Sequence, residues 1–147
     1  MKNEDEVTRV IVDRFSFLQS EFDFSEPVIK SDNLITTISY LSNEIALEFE
    51  LDWKENEVFL LITRLTEGRL PNGYYVYNGK IVRKHLIRVL WEYFNYRIPL
   101  SKREIKQAGN KNKQKTMEQW ITEYENLLIL YTRELLNKGV SLFEKSL

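Results

Sequence analysis

Residues 45–53, IALEFELDW, alternate apolar and non-apolar side chains with period two, then meet the charged turn KENE and a nearly unbroken apolar run, VFLLITRL. Period two is the signature of a strand, whose successive side chains point to opposite faces. Ile45, Leu47, Phe49, Leu51 and Trp53 therefore define one face, and Glu44, Ala46, Glu48, Glu50 and Asp52 the other. The run after the turn is apolar at both parities, the pattern of a central strand covered on both sides. A hairpin with one half-polar arm and one buried arm is the element around which the rest of the chain must be arranged.

Upstream, Asn3 and Glu6 have capping-box spacing, and Val7, Val10, Ile11, Phe15, Leu18 and Phe22 follow helical periodicity, with Arg14 the one polar residue on that face. Pro27 forces its predecessor out of helical geometry and closes this segment. LITTISYLS, residues 34–42, is β-rich, with Ser42-Asn43 as the turn into the hairpin. Downstream, EGRLPNGYYVY reads as a loop leading to a short edge strand. Asn78-Gly79 is a hairpin signal, but we read it as the lead-in to a helix over 81–95. That helix would bury Val82, His85, Leu86, Val89, Leu90 and Tyr93, turn Arg83, Lys84, Arg88 and Glu92 to solvent, and pair Arg88 with Glu92. After Pro99, Ser101 with Glu104 caps a short basic helix that Gly109 stops. Thr116 with Gln119 opens the longest helix, with Met117, Trp120, Ile121, Tyr124, Leu127, Leu128, Tyr131 and Leu135 on its core face, and Gly139 ends it. An N-terminal helix, an antiparallel meander of three to four strands and two to four C-terminal helices packing on the sheet make a single α+β domain over 1–147.

The chain has 147 residues, no cysteine and one histidine, His85. Disulfides, thiolate nucleophiles and cysteine-based zinc sites are excluded, and so is a histidine-rich metal centre within one chain. The five glycines are scattered and form no phosphate-cradling loop. The acidic start, MKNEDEV, and the absence of any apolar run of membrane-spanning length lead us to expect a cytoplasmic protein with no membrane segment. Net charge is −1, unevenly distributed. Residues 1–57 hold 5 basic and 14 acidic side chains, a net of −9, whereas residues 58–115 hold 13 basic and 3 acidic, a net of +10. Such asymmetry either reports on partners or pairs up when the chain folds.

Three groups of residues carry candidate chemistry. Glu48, Glu50 and Asp52 lie about 6.6 Å apart along one strand face, and Glu55 and Glu57 extend the row into the hairpin. The ordinary reading is a solvated face with cross-strand partners. A metal site is disfavoured, because a straight ladder spreads oxygen ligands that a hard cation needs to converge. Asp52-Trp53-Lys54, with Glu50, matches the acidic-x-Lys triplet of restriction-endonuclease-like nucleases, but Lys54 falls in the turn and no upstream Pro-Asp partner exists. Lys102, Arg103, Lys106, Lys111, Lys113 and Lys115 form a basic run suited to phosphate contact, without the interleaved aromatics that stack on bases. Tyr74 and Tyr75, with Arg69, are residue types that anchor protein interfaces.

The N-terminal helix, the FDF segment, YLSNEIALEFELDW and VFLLITR ending at Arg64 together resemble small cytoplasmic bacterial immunity-type proteins of toxin systems, over about residues 5–95. The resemblance implies a non-catalytic inhibitor that binds one cognate toxin tightly; from the residues themselves, neither cofactor nor metal is expected. On that expectation Glu48, Glu50, Asp52, Glu55 and Glu57 supply an acidic surface for a basic protein partner, and Tyr74 and Tyr75 supply its anchors. The alternative is a nucleic-acid-binding accessory protein that uses the 101–115 segment.

Overall fold

The computed structural model describes residues 4–96 and 115–144. Two short helices come first, α1 (Glu4–Arg14) and α2 (Phe17–Phe22). They are followed by strands β1 (Val28–Ser31), β2 (Ile35–Leu41), β3 (Ile45–Asp52), β4 (Glu57–Arg64), β5 (Val76–Tyr77), β6 (Lys80–Ile81) and β7 (Arg83–His85). Helix α3 (Leu86–Phe94), helix α4 (Met117–Lys138) and a 3-10 turn (Gly139–Phe143) complete the fold. The class is α+β as expected, but the sheet is larger than a meander of three or four. Five antiparallel strands run in the order β1-β2-β3-β4-β7, and β5 and β6 form a separate hairpin.

The alternation in β3 does what its period requires. Ile45, Leu47, Phe49 and Leu51 are all buried on the helix-covered face, opposite Ile62, Leu60 and Val58 of β4 and beside Ile38 and Tyr40 of β2. Val7, Ile11, Phe15 and Leu18 pack on this face from the N-terminal helices, with the Phe15 and Phe49 rings 4.5 Å apart. Leu86, Val89 and Leu90 of α3 and Ile121, Leu127, Leu128 and Leu135 of α4 complete the core. Tyr124 ties α4 to the sheet by donating to the Val58 carbonyl at 3.1 Å.

Helix ends follow local chemistry. The capping box at α4 is present, with Thr116 accepting from the Gln119 amide and Gln119 accepting from the Thr116 amide. Gly139 ends the helix at φ +51, a backbone conformation that favours glycine, and its open side is filled by the end of the Glu44 side chain. The expected N-terminal helix is divided in two, because the Ser16 hydroxyl turns back to the Asp13 carbonyl and competes with the helical ladder. Its end comes at Asp23, in the left-handed region, ahead of Pro27. The Asn3 cap and the basic helix at 101–109 lie outside the described residues.

The helix expected over 81–95 begins later and with a different lead-in. Asn78 and Gly79, at φ 52 and 76, make the tight turn of the β5–β6 hairpin. Residues 83–85 then pair with Thr63, Ile62 and Leu61 as β7. Arg83 and Lys84 are therefore buried rather than solvent-facing, on opposite sides of the sheet. Lys84 enters the helix layer, where Glu92 Oε1 at 3.0 Å and the Leu142 carbonyl at 2.9 Å accept from its ammonium group. Arg88 pairs with Glu92 as expected, at 3.4 Å.

Truncating the ring at the centre of this core, Phe49→Ala, should cost about 3–5 kcal/mol. In urea titrations the midpoint should fall while the slope stays unchanged, because the fold is retained around a cavity.

Candidate functional site

The second face of the sheet is where the expected acidic ladder falls, and it divides into three environments. Glu48 is only 4% exposed. Its Oε2 accepts from the Ser39 hydroxyl at 3.0 Å, and its Oε1 accepts from the Thr63 hydroxyl and from Arg83 Nε at 2.7 Å. These partners arrive from three different strands, which the register sets around Glu48: Ser39 directly opposite it on β2, and Thr63 opposite Arg83 at the β4–β7 pair. Glu48 is thus not part of a surface for a partner. A carboxylate among Ala46, Leu61 and the β-ladder is tolerated only with a counterion and saturated acceptors, and it has both.

Arg83 does more than neutralise Glu48. Its Nη1 donates to the carbonyls of Gly73 and Tyr74 at 2.5 and 2.7 Å, drawing the 66–82 segment across the sheet. Gly73 permits that path, since a Cβ there would overlap the Val76 carbonyl. Tyr74 then reaches down to donate to Glu50 Oε2 at 2.6 Å, and its ring lies 5.7 Å from the Arg83 guanidinium. Burial first, and then the Glu50 carboxylate, push the Tyr74 hydroxyl far above its ordinary range, so it stays a neutral donor. Tyr75 packs edge-on against Tyr74 at 4.4 Å, and its hydroxyl lies 3.0 Å from His85 Nε2. The His85 ring in turn meets Phe59 at 5.6 Å.

The result is a continuous patch of Phe59, His85, Tyr75, Tyr74 and Glu50. Tyr74 and Tyr75 remain 48% and 41% exposed despite these contacts. One register step further along β3, Asp52 stands directly opposite Glu57, and Asp52 Oδ1 accepts from the Glu55 amide in the hairpin turn. Glu55 is exposed, and Asp52 and Glu57 are half-buried. The structure therefore brings Glu50, Asp52, Glu57, Tyr74 and Tyr75 to the same side of the sheet, leaves Glu55 exposed in the turn beside them, and takes Glu48 out of the set. Lys54 lies in the exposed turn, and Glu50 and Asp52 are already hydrogen-bonded to Tyr74 and to the turn. Among the described residues no group of three or more His, Asp or Glu side chains is arranged to hold a metal ion. No described helix is long and apolar enough to cross a membrane.

Of the basic run, Lys102, Arg103, Lys106, Lys111 and Lys113 lie outside the described residues. Lys115 is occupied within the chain, 4.5 Å above the Trp120 ring and 3.5 Å from Glu123. Arg83 and Thr63 are the site residues that sequence reasoning missed. The available signal was Glu48 itself: a carboxylate in a strand whose flanks are apolar needs a cation from a neighbouring strand, and the Asn78-Gly79 hairpin places Arg83 within reach. No protein-family model, curated protein or solved structure matches this chain.

Removing the cation while leaving the carboxylate, Arg83→Met, should destabilise the fold by about 3–5 kcal/mol and open the 66–82 segment to limited proteolysis. Adding Glu48→Gln to that variant should recover part of the stability, because the buried charge is gone, but not the protection of the loop.

His85 supplies a pH dependence. Burial, aided by Arg88 and opposed by Glu50, holds its pKa below the ordinary value of 6.5. A depressed folded-state pKa means that the unfolded chain takes up the proton first, so stability present above about pH 6.5 is lost as pH falls through the folded value. The melting temperature of the wild type should therefore drop more between pH 7 and pH 5 than that of His85→Phe, with the two profiles parallel above pH 7.

Proposed function

We propose that this chain is a non-catalytic, cytoplasmic binding protein of the immunity type, which neutralises a basic toxin by covering it with the open face of its sheet. The observation that carries the reading is the pair of exposed rings, Tyr74 and Tyr75, held rigid beside Glu50, with Asp52, Glu55 and Glu57 continuing along the same strand and turn. Tyrosines fixed by hydrogen bonds to their own scaffold lose little entropy on binding and are effective interface anchors. Carboxylates at the rim of such a patch steer a cationic partner and select against anionic ones. The facing of Asp52 and Glu57 supports the same reading. Two like charges placed opposite each other across a ladder cost stability in the free protein, and a partner's lysine or arginine would relieve that cost.

The reading is of a binder, in which the polar groups of the face hold one another in place. Glu50 is held by Tyr74, His85 by Tyr75, and Glu48 by Arg83.

The test is affinity capture from cell lysate with and without added nuclease, comparing the wild type with Glu55→Lys/Glu57→Lys. The wild type should retain one basic protein in both lysates, and the double reversal should retain it about ten-fold less or weaker still. The melting temperature of the double variant should hold or rise, since the lysine introduced in place of Glu57 would face Asp52. Equal retention by both proteins would remove this face from the interface. Material retained only without nuclease would transfer the binding role to nucleic acid and to the 101–115 segment.

A further inference from the structure

The basic part of the chain is only partly neutralised within the fold. Arg83, Lys84 and Arg88 meet Glu48 and Glu92. Among the described residues, however, no side-chain hydrogen bond or ion pair engages Arg64 or Lys80. These two cations share one place. Arg64 ends β4, Lys80 opens β6, and both line a groove of about 320 Å³ with Thr66, Glu67, Tyr77 and Asn78 along its sides. Two tight turns frame it. At Glu67-Gly68, φ 51 and 76, Thr66 and Arg69 exchange backbone bonds of 2.8 and 3.0 Å. At Asn78-Gly79, φ 52 and 76, β5 folds back onto β6. Both turns have positive φ at both central residues, the geometry that suits a two-residue hairpin. Between them Arg64 N donates to Val82 O at 2.7 Å, which fixes the floor. Arg64 is half-buried there, although a guanidinium carries five donors.

We propose that this groove binds a phosphate monoester. The number of oxygens decides between the anions that an arginine can take. An arginine fork engages two oxygens side by side, which uses both oxygens of a carboxylate and leaves none for Lys80. A terminal phosphate has three, with about −1.5 to −2 charges at pH 7. The guanidinium and the ammonium can therefore meet the same group. The hydroxyls of Thr66 and Tyr77, which make no side-chain bond among the described residues, are further donors along the same wall. Glu67, at the tip of the first turn, is the one carboxylate among the residues lining the groove. It lies in no ion pair with either cation, and its charge opposes that of the ligand and holds the affinity down.

The volume is at the small end of ligand sites, matched to the phosphate and the first atoms of the group that bears it. Arg64 stands at the opposite end of β4 from Glu57, about 23 Å away along the strand. The groove is thus apart from the acidic hairpin, and its ligand is independent of the protein partner proposed for that surface.

Amide shifts followed by NMR at constant ionic strength test the inference. Phenyl phosphate, inorganic phosphate and acetate are titrated separately into the wild type, Arg64→Gln, Lys80→Gln and Glu67→Gln. In the wild type phenyl phosphate should move the Leu65, Thr66 and Lys80 amides saturably, and acetate should bind about ten-fold more weakly. Arg64→Gln and Lys80→Gln should each weaken phenyl phosphate about ten-fold, the effect of losing one charge-assisted bond, with little change in melting temperature. Glu67→Gln should tighten it. Inorganic phosphate distinguishes the source of the group: equal affinity assigns the groove to the free ion, and weaker binding assigns it to an organic ester. The absence of a saturable shift, equal affinity for acetate, or unchanged affinity in both cation variants overturns the proposal. Should Arg64→Gln not fold, Lys80→Gln decides alone, since Lys80 is exposed and its loss leaves the packing intact.

Discussion

Glu48 carries a carboxylate into the middle of a five-stranded sheet, and the arrangement of the open face follows from how that charge is satisfied. Ser39, Thr63 and Arg83 reach it from β2, β4 and β7. A cation is needed because desolvating a lone carboxylate costs several kcal/mol even after relaxation (about the stability of a whole small domain). Arg83 is suited to the task where lysine would not be. Its fork binds Glu48 with one nitrogen and the Gly73 and Tyr74 carbonyls with another, so the charge pair also fixes the path of a loop. Tyr74 and Tyr75 are presented to solvent because of that path. An apolar pair in place of Glu48 and Arg83 would pack as well, but it would give the loop no reason to lie where it does.

The sequence made some of this legible and concealed the rest for identifiable reasons. Period two in β3 is legible from Ile45 to Asp52, since one face is uniformly buried and a slip of one residue would expose it. The ends of α4 were equally plain, because Thr116, Gln119 and Gly139 act through backbone groups within a few residues of themselves. Local rules failed where a long-range partner decided the outcome. Glu48, Glu50 and Asp52 have the same parity and the same charge, yet one is buried with Arg83, one is capped by Tyr74 and one closes a turn. Nothing within the strand distinguishes them. Local rules send Arg83 and Lys84 to solvent, because basic residues ordinarily face it. Their burial depends on Glu48, 35 positions upstream, and on Glu92, eight positions downstream. β1 is invisible to local rules, because four residues after a proline give no periodicity to read and the strand is defined by its pairing with β2.

The charge asymmetry of the chain resolves partly in the same way. The acidic first segment and the basic second one are joined in the fold by Glu48–Arg83, and Lys84 finds Glu92 within the second segment. Glu50, Asp52, Glu55 and Glu57 make no ion pair among those found in the described residues, so the stretch from Glu50 to Glu57 carries four carboxylates against the one ammonium of Lys54. The patch therefore combines a hydrogen-bonded aromatic centre with a margin of carboxylates.

β7 links the two sides of the molecule. It has three residues, and consecutive side chains leave it in opposite directions. Arg83 goes to Glu48 and the loop on the open face, and Lys84 goes to Glu92 and the Leu142 carbonyl in the helix layer. His85 returns to the open face beneath Tyr75. A strand this short has little ladder of its own, so its position depends on both buried charges together. Tyr93, which donates to the Ser141 carbonyl at 2.8 Å, fastens the same C-terminal turn that Lys84 holds. The anchoring of the chain's C-terminal turn and the presentation of the two tyrosines are thus joined through one backbone segment. A disturbance on the helix side that displaced Lys84 would move Arg83 by the geometry of adjacent residues alone, and with it the loop that makes the open face a surface.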